Sequence, residues 1–409
     1  MTYKSIWLRR QKDESLRRFH PWVFSGAIQR MEDGISEGDV VRVLTDEGEF
    51  VAVGHYQQGS IAVRVLSFSD VAIDADFWRS RLRSALQLRQ TLGLADSSST
   101  SQLPSLDAEQ PSVVYNDTFR LVHGEGDLLP GLIIDVYGQT AVMQAHSIGM
   151  HVCRQQIAQA LADVMGPRIS SVYYKSETTL PFMEPSEMSG FLLGGSDDNV
   201  AVENGLKFRV DWLRGQKTGF FVDQRDNRQL LERFSPGRRV LNMFCYTGGF
   251  SVYAMRGGAR LVHSVDSSAK AIELTKDNVA LNFAGDTRHE AFCEDAFKFL
   301  DHSSRDYDLI ILDPPAFAKH RGALHHALKG YIRLNQKAFE QIESGGILFT
   351  FSCSQVVTKD HFRNAVFTAA ALARRKVRIL HQLHQPADHP INIFHPEGEY
   401  LKGLVLYVE

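Results

Sequence analysis

Four polar residues in the C-terminal half each close a run of apolar β-formers. Asp266 ends "RLVHSVD", Asp295 follows "HEAFCE", Asp313 ends "YDLIILD" and Cys353 ends "GGILFTFSC". A cysteine between Ser352 and Ser354, at the solvent-facing tip of a strand, is placed to act as a nucleophile. The simpler alternative is a core cysteine, since free cysteine is among the most buried residue types. Asp313 precedes Pro314 and Pro315. Two prolines cannot extend a central strand and hold the backbone rigid just beyond the sheet. From such a loop a carboxylate can hydrogen-bond a flat polar ring. Asp266 can accept hydrogen bonds from both hydroxyls of a ribose, and Asp295 suits an adenine amino group, although both also stand where helix caps are expected. In "FCYTGGF", Gly248 and Gly249 let a backbone approach a ligand closely, but the loop is not the G-x-G-x-x-G dinucleotide fingerprint.

These residues need one edge to converge on. From residue 238 strands and helices alternate: five β-α units, then "VRILHQLHQ" and "YLKGLVLYVE" with no helix between them. That rhythm predicts a doubly wound, mostly parallel α/β sheet whose ligands sit beyond the carboxyl ends of the strands. Residues 1–73 read as short strands of a small β-barrel, with a hairpin turn at Asp46-Glu47-Gly48. Residues 74–213 read as an α+β segment, with a helix over 74–94 capped by Asp74 and Gly93, a second helix near 150–165, and a hairpin at Asn204-Gly205. The Ser-rich stretch 95–112 is expected to be a flexible loop.

The chain has 409 residues, enough for two or three domains. No run approaches the ~18 apolar residues of a membrane span, and the N-terminus lacks the apolar core of a signal peptide. No membrane partner and a cytoplasmic location are expected. The four cysteines form no CxxC pair, so neither a metal site nor a disulfide framework is expected. Net charge is −3, but residues 1–30 carry seven Lys/Arg against Asp13 and Glu14. A basic patch on a near-neutral protein fits a nucleic-acid partner; Arg9, Arg10, Arg17 and Arg18 are the candidate phosphate contacts. Trp22 and Phe24 could stack on bases, though core packing is the simpler role for "HPWVF".

"CYTGGF", "SVDSS", "LDPPAF" and "TFSCS", in this order and spacing, resemble the class I S-adenosylmethionine-dependent methyltransferases, and most of all the bacterial large-subunit ribosomal RNA cytosine-C5 methyltransferases. "HPWVFSGAI" resembles the opening of their PUA-type RNA-binding domain. "RLVHGEGDLLPGLIIDVYG" and "VENGLKF" resemble their middle domain, and "QKTGFFVDQRDNR" the segment entering their catalytic domain, taken here as 214–409. Where the first motif commonly holds an acid, Asn242 stands.

The resemblance implies that the cofactor is S-adenosylmethionine. Gly248 and Gly249 would line its methionine side, Asp266 would hold its ribose and Asp295 its adenine, with Gln224 and Arg225 close by. Asp313, followed by Pro314 and Pro315, would hold the target base, and Cys353 would be the nucleophile. Family members with a second cysteine carry it beside the prolines. Here that place reads Asp-Pro-Pro, which implies a single-cysteine scheme, and Cys245 and Cys293 are ascribed to packing. Glu397 is the candidate for removing the C5 proton. The implied product is 5-methylcytidine in large-subunit ribosomal RNA. Two alternatives stand beside it: a guanine-directed ribosomal RNA methyltransferase, which needs no thiol, and a non-catalytic RNA-binding assembly factor. The oligomeric state stays open, a homodimer included.

Overall fold

In a computed structural model, residues 3–95, 101–102, 113–180, 187–196, 198–303, 306–318 and 320–409 are described. Most of the Ser-rich stretch 95–112 lies outside them. The described chain forms two compact units, one of residues 1–205, 210–222 and 387–398, the other of 206–209, 223–386 and 399–409.

The first unit holds two larger sheets. A six-stranded sheet runs Trp22–Phe24, Ile61–Ser67, Phe50–Tyr56, Val40–Leu44, Lys4–Leu8, Ile28–Met31. Alternate residues Ile6, Leu8, Val41, Val43, Val63 and Val65 form its core, the period-2 pattern of a half-buried sheet. Gly48, at φ +91°, makes the turn between the strands ending at Leu44 and starting at Phe50. A five-stranded sheet follows, in the order Ser189–Leu193, Ser171–Lys175, Thr140–Ala145, Leu132–Tyr137, Thr118–His123. The helices Ala75–Thr91 and Arg154–Met165 bury Trp78, Leu82, Leu86, Ile157 and Leu161 in that sheet's core. Asp74 caps the first helix, accepting from Phe77 N at 3.0 Å, and Gly93 follows its end at φ +70°. Asn204 and Gly205 both take positive φ, as the expected turn requires. Residues 387–398 are fixed within this unit: Asp388 accepts from Arg120 N at 2.9 Å, and its carbonyl from Arg89 at 2.7 Å.

The second unit carries the doubly wound sheet. In chain order its elements are β1 Arg239–Met243, α1 Gly249–Arg256, β2 Leu261–Asp266, α2 Ala269–Asn282, β3 His289–Cys293, α3 Ala296–His302, β4 Leu309–Leu312, α4 Leu324–Gln341, β5 Gly346–Ser352, α5 Lys359–Leu372, β6 Val377–His384 and β7 Lys402–Val408. The strand order is β3-β2-β1-β4-β5-β7-β6. β1 to β5 are parallel, while β7 runs antiparallel to both β5 and β6. The all-apolar β4 and the all-buried β5 are what a strand covered on both faces demands. Strand order reverses between β1 and β4, which is the switch point where such sheets bind ligands. Among the described residues no helix is long and apolar enough to cross a membrane, and no three His, Cys, Asp or Glu gather as a metal site.

Candidate active site

Register brings the polar strand ends to one edge. Val265, Met243, Leu312 and Thr350 are Cα partners across β2, β1, β4 and β5, and Asp266 pairs with Cys293 of β3. The residues just past that row include Asp266 and Asp313, and Cys353 follows Ser352, the last residue of β5. Adjacent strands are about 4.8 Å apart, so the edge gathers groups spread over some ninety residues of sequence.

The β1–α1 loop is tightly folded. Phe244, Tyr246 and Gly248 take φ of +57°, +49° and +76°. A Cβ on Gly248 would come within 2.7 Å of Thr275 Cγ2, and one on Gly249 within 3.0 Å of Arg228 Cδ. Asp266 braces this loop: Oδ2 accepts from Tyr246 N at 3.0 Å and Oδ1 from Ser268 N at 2.9 Å. The α2 cap itself is Ser268. Asp295 is the N-cap of α3, accepting from Phe297 N and Lys298 N, both at 3.1 Å, and stays exposed. A carboxylate oxygen has more than one acceptor direction, so these backbone bonds use up neither side chain. Asn242 is buried, donating to Ser251 Oγ at 2.9 Å, and the relay continues to Ser264 at 2.7 Å and His289 at 2.8 Å. A neutral amide suits that interior better than an unpaired carboxylate would.

Gln224 and Arg225 are both buried, at the entry to the helix Arg225–Phe234. The Gln224 amide donates to Asp313 Oδ2 at 3.0 Å, and its own oxygen accepts from Asn227 at 2.7 Å. Arg225 Nε lies 3.4 Å from Asp226. Pro314 is buried and Pro315 exposed. Cys353 is half-buried between the fully buried Ser352 and Ser354. Ser354 Oγ donates to the Ala318 carbonyl at 2.7 Å, so the turn carrying the sulfur is tied to the loop carrying Asp313.

Two residues at this edge escaped the sequence reading. Tyr331 of α4 is fully buried; burial pushes its phenol well up, and the charges of Cys353 and Asp313 add to that. Lys402 is buried where β7 starts, and burial pulls its ammonium down to about 8. A lone lysine at the head of "LKGLVLYV" was the available signal.

The remaining candidates lie as follows. Cys245 is buried, its thiol pushed up by burial to about 12, but Cys293 is exposed; packing does not account for it, because β3 is the edge strand. Phe24 is 47% exposed rather than core. Trp22 is half-buried, and its indole donates to Glu125 at 2.9 Å. Glu397 lies in the first unit, 3.7 Å from His395. Of the arginines, Arg17 pairs with Asp13 and Glu49, Arg18 with Glu14, and Arg9 donates to the Ile28 carbonyl at 3.1 Å. All four are exposed, and such surface pairs contribute little, about 1 kcal/mol at most, so a phosphate can displace them.

A PUA-like family model matches residues 6–68, and one described as S-adenosylmethionine-dependent methyltransferase matches residues 184–393. A Tolumonas auensis protein named ribosomal RNA large subunit methyltransferase I is 39% identical over 411 residues, covering 98% of each chain. A protein of the same name from Erwinia tasmaniensis is 37% identical over 416 residues, covering 100% of each. The chain belongs to the ribosomal RNA large subunit methyltransferase I family. A methyltransferase structure solved with SAH has the same fold, at a TM-score of 0.81 and 22% identity over 100% of both chains. A Streptococcus mutans structure is similar at 0.80.

The cofactor of this family is S-adenosylmethionine, and the edge fits it. A Cβ on Gly248 would strike Thr275, and acidic side chains stand at the end of β2 and the start of α3.

Proposed function

We propose that this chain methylates carbon 5 of a cytidine in large-subunit ribosomal RNA, through a covalent bond between Cys353 and carbon 6. The observation that carries this reading is the placement of Cys353. Its thiol lies just beyond the end of β5, half-exposed, on a turn bound to the Asp313 loop by Ser354 and Ala318. A guanine-directed enzyme uses a nitrogen nucleophile and has no use for that sulfur.

The residues divide the chemistry as follows. Carbon 5 of cytosine is a poor nucleophile. Addition of the Cys353 thiolate to carbon 6 makes carbon 5 enamine-like, which splits one difficult step into two easier ones. Asp313, held by Gln224, accepts from the exocyclic amine and, when protonated, donates to the ring N3 as negative charge develops there. The bound cofactor supplies an electrophilic methyl group on a sulfonium. Transfer of the carbon 5 proton to water and expulsion of the thiolate then restore the ring. Gly248, Gly249, Asp266 and Asp295 hold the cofactor, with Gln224 and Arg225 beside it, while Pro314 and Pro315 stiffen the base-binding loop.

The base leaves its stack to reach this edge. Residues 1–73 serve as the RNA-binding domain, with Arg9, Arg10, Arg17 and Arg18 on phosphates. Residues 74–213 form the middle domain and 214–409 the catalytic one. Bisulfite sequencing of large-subunit ribosomal RNA, from cells with and without the gene, tests the reading. One protected cytidine that vanishes with the gene and returns with wild-type protein, but not with Cys353→Ala, is expected. No gene-dependent protected cytidine contradicts it.

A further inference from the structure

Lysine rarely occupies a buried position, because taking an ammonium out of water is costly unless it is paired. Lys402 is 6% exposed. It opens β7 in register with Ser352, the last residue of β5, on one side and with His384 of β6 on the other. Its Nζ donates to the Ser354 carbonyl and, at 2.6 Å, to the Val357 carbonyl. These two carbonyls bracket the turn that leaves Cys353, so the turn wraps around the ammonium. On its other side the same turn is held by Ser354 Oγ on Ala318. The turn that follows Cys353 is thus held by two anchors at Ser354, one of them positively charged.

The charged neighbours are few. Cys353 and Glu399 favour the ammonium, while Lys359 opposes it and is itself paired with Glu399 at 2.5 Å. His384, the register partner on β6, engages the Gln385 carbonyl through Nδ1 at 2.7 Å. Tyr331 and Asp313 are the other ionisable groups whose charges couple to this corner. A carboxylate there disfavours a thiolate; the ammonium offsets it.

We propose that Lys402 is the positioning residue for Cys353: its buried ammonium fixes the turn that presents the sulfur and supplies the positive charge that favours thiolate over thiol. This rests on Cys353 being the nucleophile. The thiol proton leaves to water, and Lys402 keeps its own. A lysine beside a thiol lowers the thiol's pKa from about 8.5, and the effect lasts while the amine stays protonated, up to a pH of about 8.

The test is the rate of Cys353 alkylation by iodoacetamide against pH in the full chain without RNA, read by peptide mass spectrometry so that Cys153, Cys245 and Cys293 do not contribute. Wild type should show a midpoint below that of a free thiol. Lys402→Met should raise the midpoint by about one unit, slowing alkylation at pH 7 about tenfold, and Lys402→Arg should restore most of it. A folded Lys402→Met chain with the wild-type midpoint overturns the proposal. If that variant does not fold, Lys402→Arg decides: a low midpoint supports the charge, and a midpoint raised to that of a free thiol overturns it. Because no RNA is present, the outcome is separate from the nucleophile assignment, which falls if Cys353→Ala still transfers methyl groups.

Discussion

The Gln224 side-chain amide donates to Asp313 Oδ2 at 3.0 Å, across 89 positions of sequence. Asn227 in turn fixes the amide by donating to its oxygen at 2.7 Å. The carboxylate assigned to the target base is therefore oriented from the segment that enters the catalytic unit. A hydrogen bond to a charged group contributes about 1.5–3 kcal/mol. Gln224→Ala should lower kcat/KM for RNA methylation about tenfold or more, with the fold intact by circular dichroism. Steady-state kinetics on a target transcript measure this; unchanged kcat/KM would mean that Asp313 needs no such support.

Gly248 joins β1 to α1 at φ +76°, and a Cβ there would meet Thr275 at 2.7 Å. A left-handed, crowded alanine costs about 1–3 kcal/mol. Gly248→Ala should lower the melting temperature and weaken S-adenosylmethionine binding at least tenfold, measured by scanning and titration calorimetry. Thr275→Ser removes the atom that a new Cβ would strike and should recover part of the loss in the double variant.

In the first unit Arg89 is fully buried against Asp127 and also donates to the carbonyls of Arg120 at 2.7 Å and Asp388 at 2.7 Å. It joins the helix Ala75–Thr91, the strand Thr118–His123 and the segment 387–398. Removing one partner of such a pair leaves an uncompensated buried charge, costing about 3–5 kcal/mol. Arg89→Met should lower the unfolding free energy from urea titration by that amount, whereas the exposed pair Arg18–Glu14 should tolerate Arg18→Met with a change within about 1 kcal/mol.

Burial pulls three histidines, His55, His146 and His289, down to about 4. The unfolded chain, with histidines near 6.5, binds more protons than the folded one between these values. Stability is therefore present above pH 6.5 and lost as pH falls toward 4, at up to about 1.4 kcal/mol per pH unit for each histidine. Urea unfolding at pH 7, 6 and 5 should show a steep fall before the carboxylate range is reached. His289→Gln should flatten it, the amide keeping a partner for Ser264.

Legibility in the sequence followed the range of the interactions. The alternation of strand and helix after residue 238 and the polar strand ends are local patterns, and the structure places Asp266, Asp313 and Cys353 on one edge as the α/β rule requires. Caps such as Asp74 and Asp295 are local as well. The anchoring role of Lys402 was not legible, because its acceptors are carbonyls 45 and 48 residues earlier, brought close only by the antiparallel β5–β7 register. The membership of residues 387–398 in the first unit was hidden for the same reason: Asp388 meets Arg120 across 268 positions. Exposure of Cys293 and Phe24 depends on which strand ends up at an edge, and composition does not set that.

The bond between Cys353 and a pyrimidine is the claim on which the rest depends. Incubating the full chain and S-adenosylmethionine with a 5-fluorocytidine-substituted target transcript blocks proton loss after methyl transfer and so traps the adduct. A protein–RNA band that survives denaturing electrophoresis, maps to Cys353 by mass spectrometry and is absent from Cys353→Ala is the predicted result. An enzyme that methylates the unsubstituted transcript yet leaves no such band would contradict the account.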